Sequence, residues 1–504
     1  METNNRHIFK KLIFKVFVLF FVFKNGALTA QFLGTSTNYS GSRSLSVNPS
    51  LMTTSYVYAD VGFNLGVSAY NDFAYINAID YYNLINGYST SNYYVNGKRY
   101  DFGFVMDTRH KNVYEALDFN VISAMFNPNG IVAYGFFINN RVYTNGTRIP
   151  WEILEAGVVS LDDGDYINKN YKSKNAKAGL MAWSEAGVAF STTVYERYLD
   201  KLDVGVTAKG LLGYAGVALN LNEVDKDIID KNISEIHKLD MMAVMAAPID
   251  YTANFTDGEQ IFTTDSPVKG LGVGFDIGVT YTRKQDDKTF AAAKRPCSFP
   301  RIKYVWRLGV SLLDVGAVHF NDNARVYRFL SEDEREFDIT KLEDATNFES
   351  VIDSVNMMFY GNIDGANAGT SFNMGLPSAL SLQFDYNIYK NFYVNATWIQ
   401  PVRFFRYSSR RAAQLVVEPR FETAFFDFTM PVTLYNYERV LLGAEARVGF
   451  LTIGSQNIVN LLGLGKSYGL DVYVAVKFNL TKERCRKKDT GACWNSDFGH
   501  RRRR

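Results

Sequence analysis

The chain has 504 residues, 47% hydrophobic, 15% aromatic and 21% charged, with 54 basic against 52 acidic side chains. Beyond the first 30 residues no run of about 18 apolar residues occurs, which excludes a helical membrane protein. The body, residues 31–480, carries 40 basic against 48 acidic residues and the tail from Thr481 nine against three, so nucleic-acid binding by the body is excluded and the tail stands apart.

Residues 1–30 read as a signal peptide. Arg6, Lys10 and Lys11 form a basic start, Val16 to Phe23 a short apolar core, and Ala27 and Ala30 precede an expected cleavage before Gln31. No cysteine lies near that site, so a lipoprotein anchor is excluded. Up to the last two dozen residues no Pro-, Ser- or charge-rich linker follows, which favours one large domain over the roughly three that length suggests.

From Val57 the sequence alternates with period two. Val57, Ala59, Val61, Phe63, Leu65, Val67 and Ala69 share one face, and Tyr58, Asp60, Gly62, Asn64, Gly66, Ser68 and Tyr70 the other. The same alternation runs through 273–282, 380–389 and 470–480. Further strands are expected over 73–82, 114–126, 131–144, 187–197, 204–221, 239–255, 303–318, 392–403, 413–422, 424–435 and 439–451. The clearest runs exceed the roughly 5–6 residues of a globular strand and reach the roughly 9–11 that a tilted strand needs to cross a bilayer. A soluble array of β-sandwiches shares the aromatic composition but not these lengths. The expectation is an all-β fold: a transmembrane antiparallel β-barrel of about 14 strands, an even number, in the outer membrane, with lipid as its first partner.

Between the strands, Asn71-Asp72 and Lys390-Asn391 read as tight turns, and 83–112, 145–176, 222–237, 285–302 and 320–378 as long connections. Long loops face outward in such barrels, yet a periplasmic amino terminus puts the tight 71–72 turn outside, a conflict the sequence leaves standing. Ile229, Ile233 and Ile236 recur at helical spacing, which predicts a loop helix between Glu223 and Lys238. Ser455 is placed to cap a short helix within 455–462, tucked over the barrel end or presented to a partner.

Ionised side chains at mid-depth face the lumen, because facing lipid costs roughly 2–4 kcal/mol each. Glu418, Arg420 and Glu422 share one face, Glu445 and Arg447 another, and Asp276, Arg307 and Asp385 lie on polar faces of further strands. Two readings fit these eight: a packed polar network, or a substrate-binding site.

Several stretches in order carry a family resemblance: Asn48-Pro49-Ser50, Ala182 to Gly187 (AWSEAG), Gly205 to Gly213 (GVTAKGLLG), Arg307 to Gly316 (RLGVSLLDVG), Leu376 to Ser381 (LPSALS), Pro419 to Glu422 (PRFE) and Gly443 to Ser455. The chain resembles the Bacteroidota outer-membrane proteins grouped as domain of unknown function 5723, distantly FadL-like, over about residues 31–481. The resemblance implies a FadL-like barrel with an amino-terminal segment folded into the lumen, here 31–55, followed by the barrel over 56–481. It supplies no catalytic residue. The chain departs from members with an appended peptidoglycan-binding domain, since only a tail, 482–504, follows.

Enzyme chemistry is not expected. His7, His110, His237, His319 and His500 lie at no metal-ligand spacing, and neither a G-x-S-x-G elbow nor a phosphate loop is present. His319, near Asp314, reads as a structural histidine, and no cofactor is implied. Cys485 and Cys493 are spaced to close a small disulfide loop, leaving Cys297; pairing of Cys297 with the tail is the alternative. The tail cations Arg484, Arg486, Lys487, Lys488, Arg501, Arg502, Arg503 and Arg504 belong either to a solvated extension or to a docking element for anionic lipid or an acidic envelope partner. Two functions follow: FadL-like passive transport of a small or hydrophobic solute, or a non-transporting accessory barrel in a larger outer-membrane assembly.

Overall fold

The computed structural model describes residues 35–480, apart from 152–168, 256–265, 286–302, 343–344, positions 231 and 463, and several positions between 78 and 108. The expected signal peptide, Cys297, the Cys485–Cys493 pair and the basic tail therefore lie outside the described residues.

Among the described residues the antiparallel pairings close on themselves as 14 strands. We number them β1 (Ala59–Asn71), β2 (Lys111–Phe126), β3 (Val132–Ile149), β4 (Lys169–Arg197), β5 (Asp200–Ile228), β6 (Ile233–Ala246 and Gly270–Lys284) and β7 (Tyr304–Phe320, continued by Ala324–Ser331 and Arg335–Asp338). There follow β8 (Phe372–Gly375 and Ala379–Tyr389), β9 (Phe392–Pro401), β10 (Gln414–Glu422), β11 (Phe426–Thr429 and Val432–Tyr435), β12 (Arg439–Leu442 and Ala444–Val448), β13 (Leu451–Ser455) and β14 (Gly469–Leu480). Closure runs from Ala59 opposite Leu480 to Tyr70 opposite Gly469. With both edges paired, the closed wall of described strands leaves no open sheet edge to lipid.

The alternation sorts as period two requires. On β6, Leu271, Val273, Phe275 and Ile277 point outward, 62% to 50% exposed, while Asp276 between them is 3% exposed. Val61, Phe63 and Leu65 on β1 are likewise outside, with Asp60 within. This apolar outer belt around a closed sheet is the surface of an outer-membrane barrel.

Orientation follows from the connections. Both ends of the wall lie at one rim, with the short turns after β2, β4, β8, β10 and β12; the connections after β1, β3, β7, β9 and β13 lie at the other, while the long one after β6 leaves and rejoins the wall at the first rim, beside the turn after β4. The conflict over Asn71-Asp72 dissolves, because these residues end β1 rather than turn it. Asn71 Oδ1 accepts from the amides of Phe73 and Ala74 (3.1 and 2.6 Å) and sends the chain into the long outer excursion. The expected strand 73–82 is no part of the wall; Ala74–Asn77 pairs in a small separate sheet with residues 103–104 and 466–467.

A second correction concerns 223–238. The expected helix is a β-hairpin in which Ile228 ends β5 and Ile233 begins β6, with Asp230 Oδ1 accepting from Asn232 and Ile233 amides (2.6 and 2.8 Å). β4 and β5 each run 29 residues, about 95 Å along the strand at ~3.3 Å per residue. They therefore rise far beyond the bilayer, whereas β9 and β10 have only 10 and 9 residues. Helix α1 (Phe348–Tyr360), opened by an Asn347–Ser350 capping box, packs Phe359 against Leu221, Val224, Ile236, Leu239 and Phe329 of this tall side. Near the end of the chain, Ile458–Leu461 forms a short helix, and Ser455 Oγ accepts from the Asn457 amide (3.0 Å) just before it.

Candidate functional site

The lumen is filled in layers. Nearest the rim that holds both ends of the wall, all of residues 35–57 except Arg43 and Ser46 are buried inside the barrel. Two short 3-10 turns shape this segment, Gly41–Ser46 and Pro49–Thr54. Asn48 starts the second by accepting from the Ser50 amide (3.0 Å), with Pro49 at its first position, where a missing N–H costs nothing.

The segment Asn48-Pro49-Ser50 rests on a paired glycine floor. Gly205 of β5 and Gly278 of β6 face each other in register. A methyl on Gly205 would sit 2.5 Å from the Pro49 carbonyl carbon, and one on Gly278 would sit 2.9 Å from Asn48 Cγ. Only glycine admits backbone this close. Asn48 Nδ2 then donates to Gln383 (2.9 Å), and the Ser50 and Thr280 hydroxyls meet at 2.6 Å.

Wall charges grip the rest of the segment. Arg307 donates to Thr54 Oγ1 (3.1 Å) and the Ser36 carbonyl (3.2 Å), Lys477 Nζ to the Tyr39 and Ser40 carbonyls (2.5 Å each), and the Ser42 amide to Asp60 (2.9 Å). Glu422 accepts from the Asn38 amide (3.1 Å), and Glu445 pairs with Arg43 (3.5 Å).

The eight charges singled out in the sequence fall into separate groups. Arg307 and Arg420 both bind Asp385 (2.5 and 2.8 Å), Arg420 also binds Glu422, and Tyr304 donates to Asp385 (2.7 Å). Glu418 is buried within reach of the Arg420 charge. Arg447 and Glu445, though on one strand face, do not meet: Arg447 takes Asp427 of β11 (2.5 Å), and Glu445 takes Arg43. Asp276 belongs to a cluster whose centre, Asp314, is not among the eight. Lys209 binds Asp276 (2.9 Å) and Asp314 (2.5 Å), Arg141 binds Asp314 (3.1 Å) and Asp118 (2.7 Å) with Glu185 at 3.4 Å, and Arg411 also binds Asp314. A bulge on β7 opposite Phe275–Ile277 puts Asp314 there, at φ 53°. Its sequence trace is a lone aspartate in an otherwise apolar run.

Between this cluster and the segment lies a cavity of about 120 Å³, lined by Ser42, Ser46, Asn64, Asn120, Asn139 and Lys209 among others. Outward of it comes an apolar layer: Tyr143, Met181, Trp183, Leu211, Phe320, Phe372, Met374, Leu376 and Tyr407. The outermost seal is the connection 402–413, which folds inward. Its Tyr407 and Ser408 pair with Met374 and Gly375, its Arg406 carbonyl accepts from Asn220 of β5 (3.3 Å), and its Arg410 amide donates to Asn145 of β3 (2.9 Å).

Residues 49–456 match the model of the "Family of unknown function (DUF5723)". A search of curated proteins finds no match. Among solved structures, the Pseudomonas putida toluene transporter TodX is 10% identical, with a TM-score of 0.38 over 88% of this chain and 95% of that one. The Ralstonia pickettii toluene transporter TbuX is 8% identical (TM-score 0.28; 90% and 96% covered) and a Pseudomonas aeruginosa FadL homologue 7% identical (TM-score 0.21; 88% and 95% covered). Likeness this low carries no weight for a solute; closure of the barrel rests on the strand pairings.

Proposed function

The chain belongs to the DUF5723 family, and from that premise we propose that it is a plugged outer-membrane channel for a small polar solute, opened when residues 35–57 and the inward 402–413 connection both yield. The observation that carries this reading is the interface between that segment and the wall. Buried ion pairs and hydrogen bonds of this kind add little stability over apolar packing of the same volume, but water can replace each of them when the segment moves. The polar lining favours a polar solute over a hydrophobic one, and no chemical step is assigned to the lumen. Deleting 35–57, replacing 402–413 with a short turn and recording single channels in planar bilayers tests the reading: conductance should rise well above that of the full chain. A correctly assembled deletion variant that conducts no better would overturn it.

A second reading, an accessory barrel in a larger envelope assembly, is favoured by the tall β4–β5 wall and helix α1, which stand clear of the bilayer. Purification as a lone monomer in mild detergent would count against it.

A further inference from the structure

The inward connection 402–413 carries Arg403, Arg406 and Arg410 to the outer mouth of the lumen, where Lys177 of β4 joins them. The wall and the connection bring the four together. Lys177 stands opposite Asn220 in register, and Asn220 holds the Arg406 carbonyl; two residues further along β4, Gly179 packs its backbone against the Ser408 carbonyl. Arg406 reaches across to Met242 of β6 (3.4 Å). The charges act on one another, those of Arg403, Arg410 and Arg406 on Lys177 and that of Arg410 on Arg403.

Deeper in the lumen the charges meet partners of opposite sign, in the Asp314 and Asp385 clusters. At the mouth, among the described residues, no carboxylate pairs with any of the four cations; Arg406 meets the Tyr407 hydroxyl, and Arg403 acts on Tyr114. Glu115 and Asp471 line one cavity with Arg410 but form no ion pair with it, and Asp72 and Glu438, beyond Tyr114, keep company with Lys111, Arg109 and Arg439. Uncompensated like charges gathered by a folded connection, above an apolar layer, are the arrangement that concentrates and selects anions in a pore.

The geometry points to an anion-binding site formed by Lys177, Arg403, Arg406 and Arg410 at the outer mouth, for a free small solute bearing two or more negative charges such as a phosphorylated or polycarboxylated compound. This deepens the channel reading by naming the solute class, but binding itself does not require flux. A free solute fits better than a lipid headgroup because Asn145 and Asn220 hold the connection inside the ring of strands.

The test is calorimetric titration of the full chain in detergent at low ionic strength with sodium pyrophosphate as the probe. Saturable binding that weakens as salt rises is expected. The triple variant R403Q/R406Q/R410Q should lose about tenfold or more in affinity, the scale of a single charge-assisted hydrogen bond. Arg406→Lys, which keeps the charge, should bind nearly as the parent does. So should Lys172→Gln, which removes a β4 charge that pairs with Asp225 of the neighbouring β5. Heat-modifiable gel mobility confirms that each variant is folded. Absence of saturable binding, or equal affinity in the folded triple variant, overturns the site. Preferential binding to phosphatidylglycerol vesicles over pyrophosphate assigns the cluster to lipid and overturns the free-solute proposal. Binding by the full chain with no flux in the variant lacking both 35–57 and 402–413 sinks the channel reading alone, and flux in that variant without binding by the full chain sinks the site alone.

Discussion

The glycine floor beneath Asn48-Pro49-Ser50 makes a demand that can be quantified. A methyl on Gly205 would stand 2.5 Å from the Pro49 carbonyl carbon and 2.8 Å from its oxygen; one on Gly278 would stand 2.9 Å from Asn48 Cγ and 3.1 Å from Pro49 Cδ. Ordinary carbon contacts begin near 3.5 Å, so either substitution pushes the segment inward by roughly 1 Å. Overpacking of this kind costs about 1–3 kcal/mol, and displacement stretches the Ser50–Thr280 and Asn48–Gln383 hydrogen bonds, each contributing about 1 kcal/mol. Gly205→Ala and Gly278→Ala should each destabilise the barrel by about 2–4 kcal/mol in urea unfolding from detergent or lipid. They should also raise protease cleavage within 35–57. The remaining grip, through Arg307, Lys477, Glu422 and Asp60, is larger than this cost, so the segment should loosen without leaving. Gly210→Ala on the same strand is the control, because a methyl there meets nothing within 4 Å. If all three variants share one unfolding midpoint and one cleavage rate, the segment does not rest on that floor.

Arg420→Met removes a fully buried cation from Asp385 and Glu422 and should cost about 3–5 kcal/mol in the same unfolding assay, since it strands buried carboxylates; adding Glu422→Gln should recover part of the loss. Ile277→Arg on the lipid face should cost about 2–4 kcal/mol of stability in bilayers, and no such penalty is expected in a water-filled environment. The hairpin tip beyond the bilayer should respond to pH. His237, hydrogen-bonded to Asp227 (3.0 Å) and near Glu334, titrates above its ordinary value of 6.5 chiefly because of the Asp227 bond. A raised folded value means that the added stability is complete below about pH 6.5 and lost as pH rises through the higher folded value. Amide exchange at 226–236, corrected for intrinsic rates, should therefore be slower at about pH 6 than at about pH 8.5, and His237→Gln should abolish the difference.

The barrel was legible because lipid and lumen impose opposite polarities on alternate residues, as on β1 and the lower half of β6. Where that pressure stops, legibility stops with it. The expected connection 145–176 takes in Lys169 to Ala176 because this end of β4 stands above the bilayer and is lysine- and asparagine-rich instead of alternating oil and polar groups. The 223–238 hairpin imitated a helix through Ile229, Ile233 and Ile236; the Asp230 turn was the competing clue. The strand number came out right through offsetting errors: 73–82 is not wall, 239–255 and 273–282 occupy one strand position, and Leu451–Ser455 past the Gly449 turn is a strand of its own.

The charges divide along a different line. A lone Asp, Glu or Arg on a polar face announces that it points inward, so Arg307, Asp385 and Arg420 could be named from sequence. Their partners could not, because partnership depends on register, on the bulge that brings Asp314 inward, and on an amino-terminal segment that meets β7, β10, β12 and β14 only after closure. Arg403, Arg406 and Arg410 gave even less warning, since an inward-folded connection has no period to betray it. Pairing is itself informative once the register is known. Charges neutralised by one another in the inner lumen need no ligand and serve to hold the segment in place. The four cations at the outer mouth have no such partner, so a requirement for something from outside the chain falls on them.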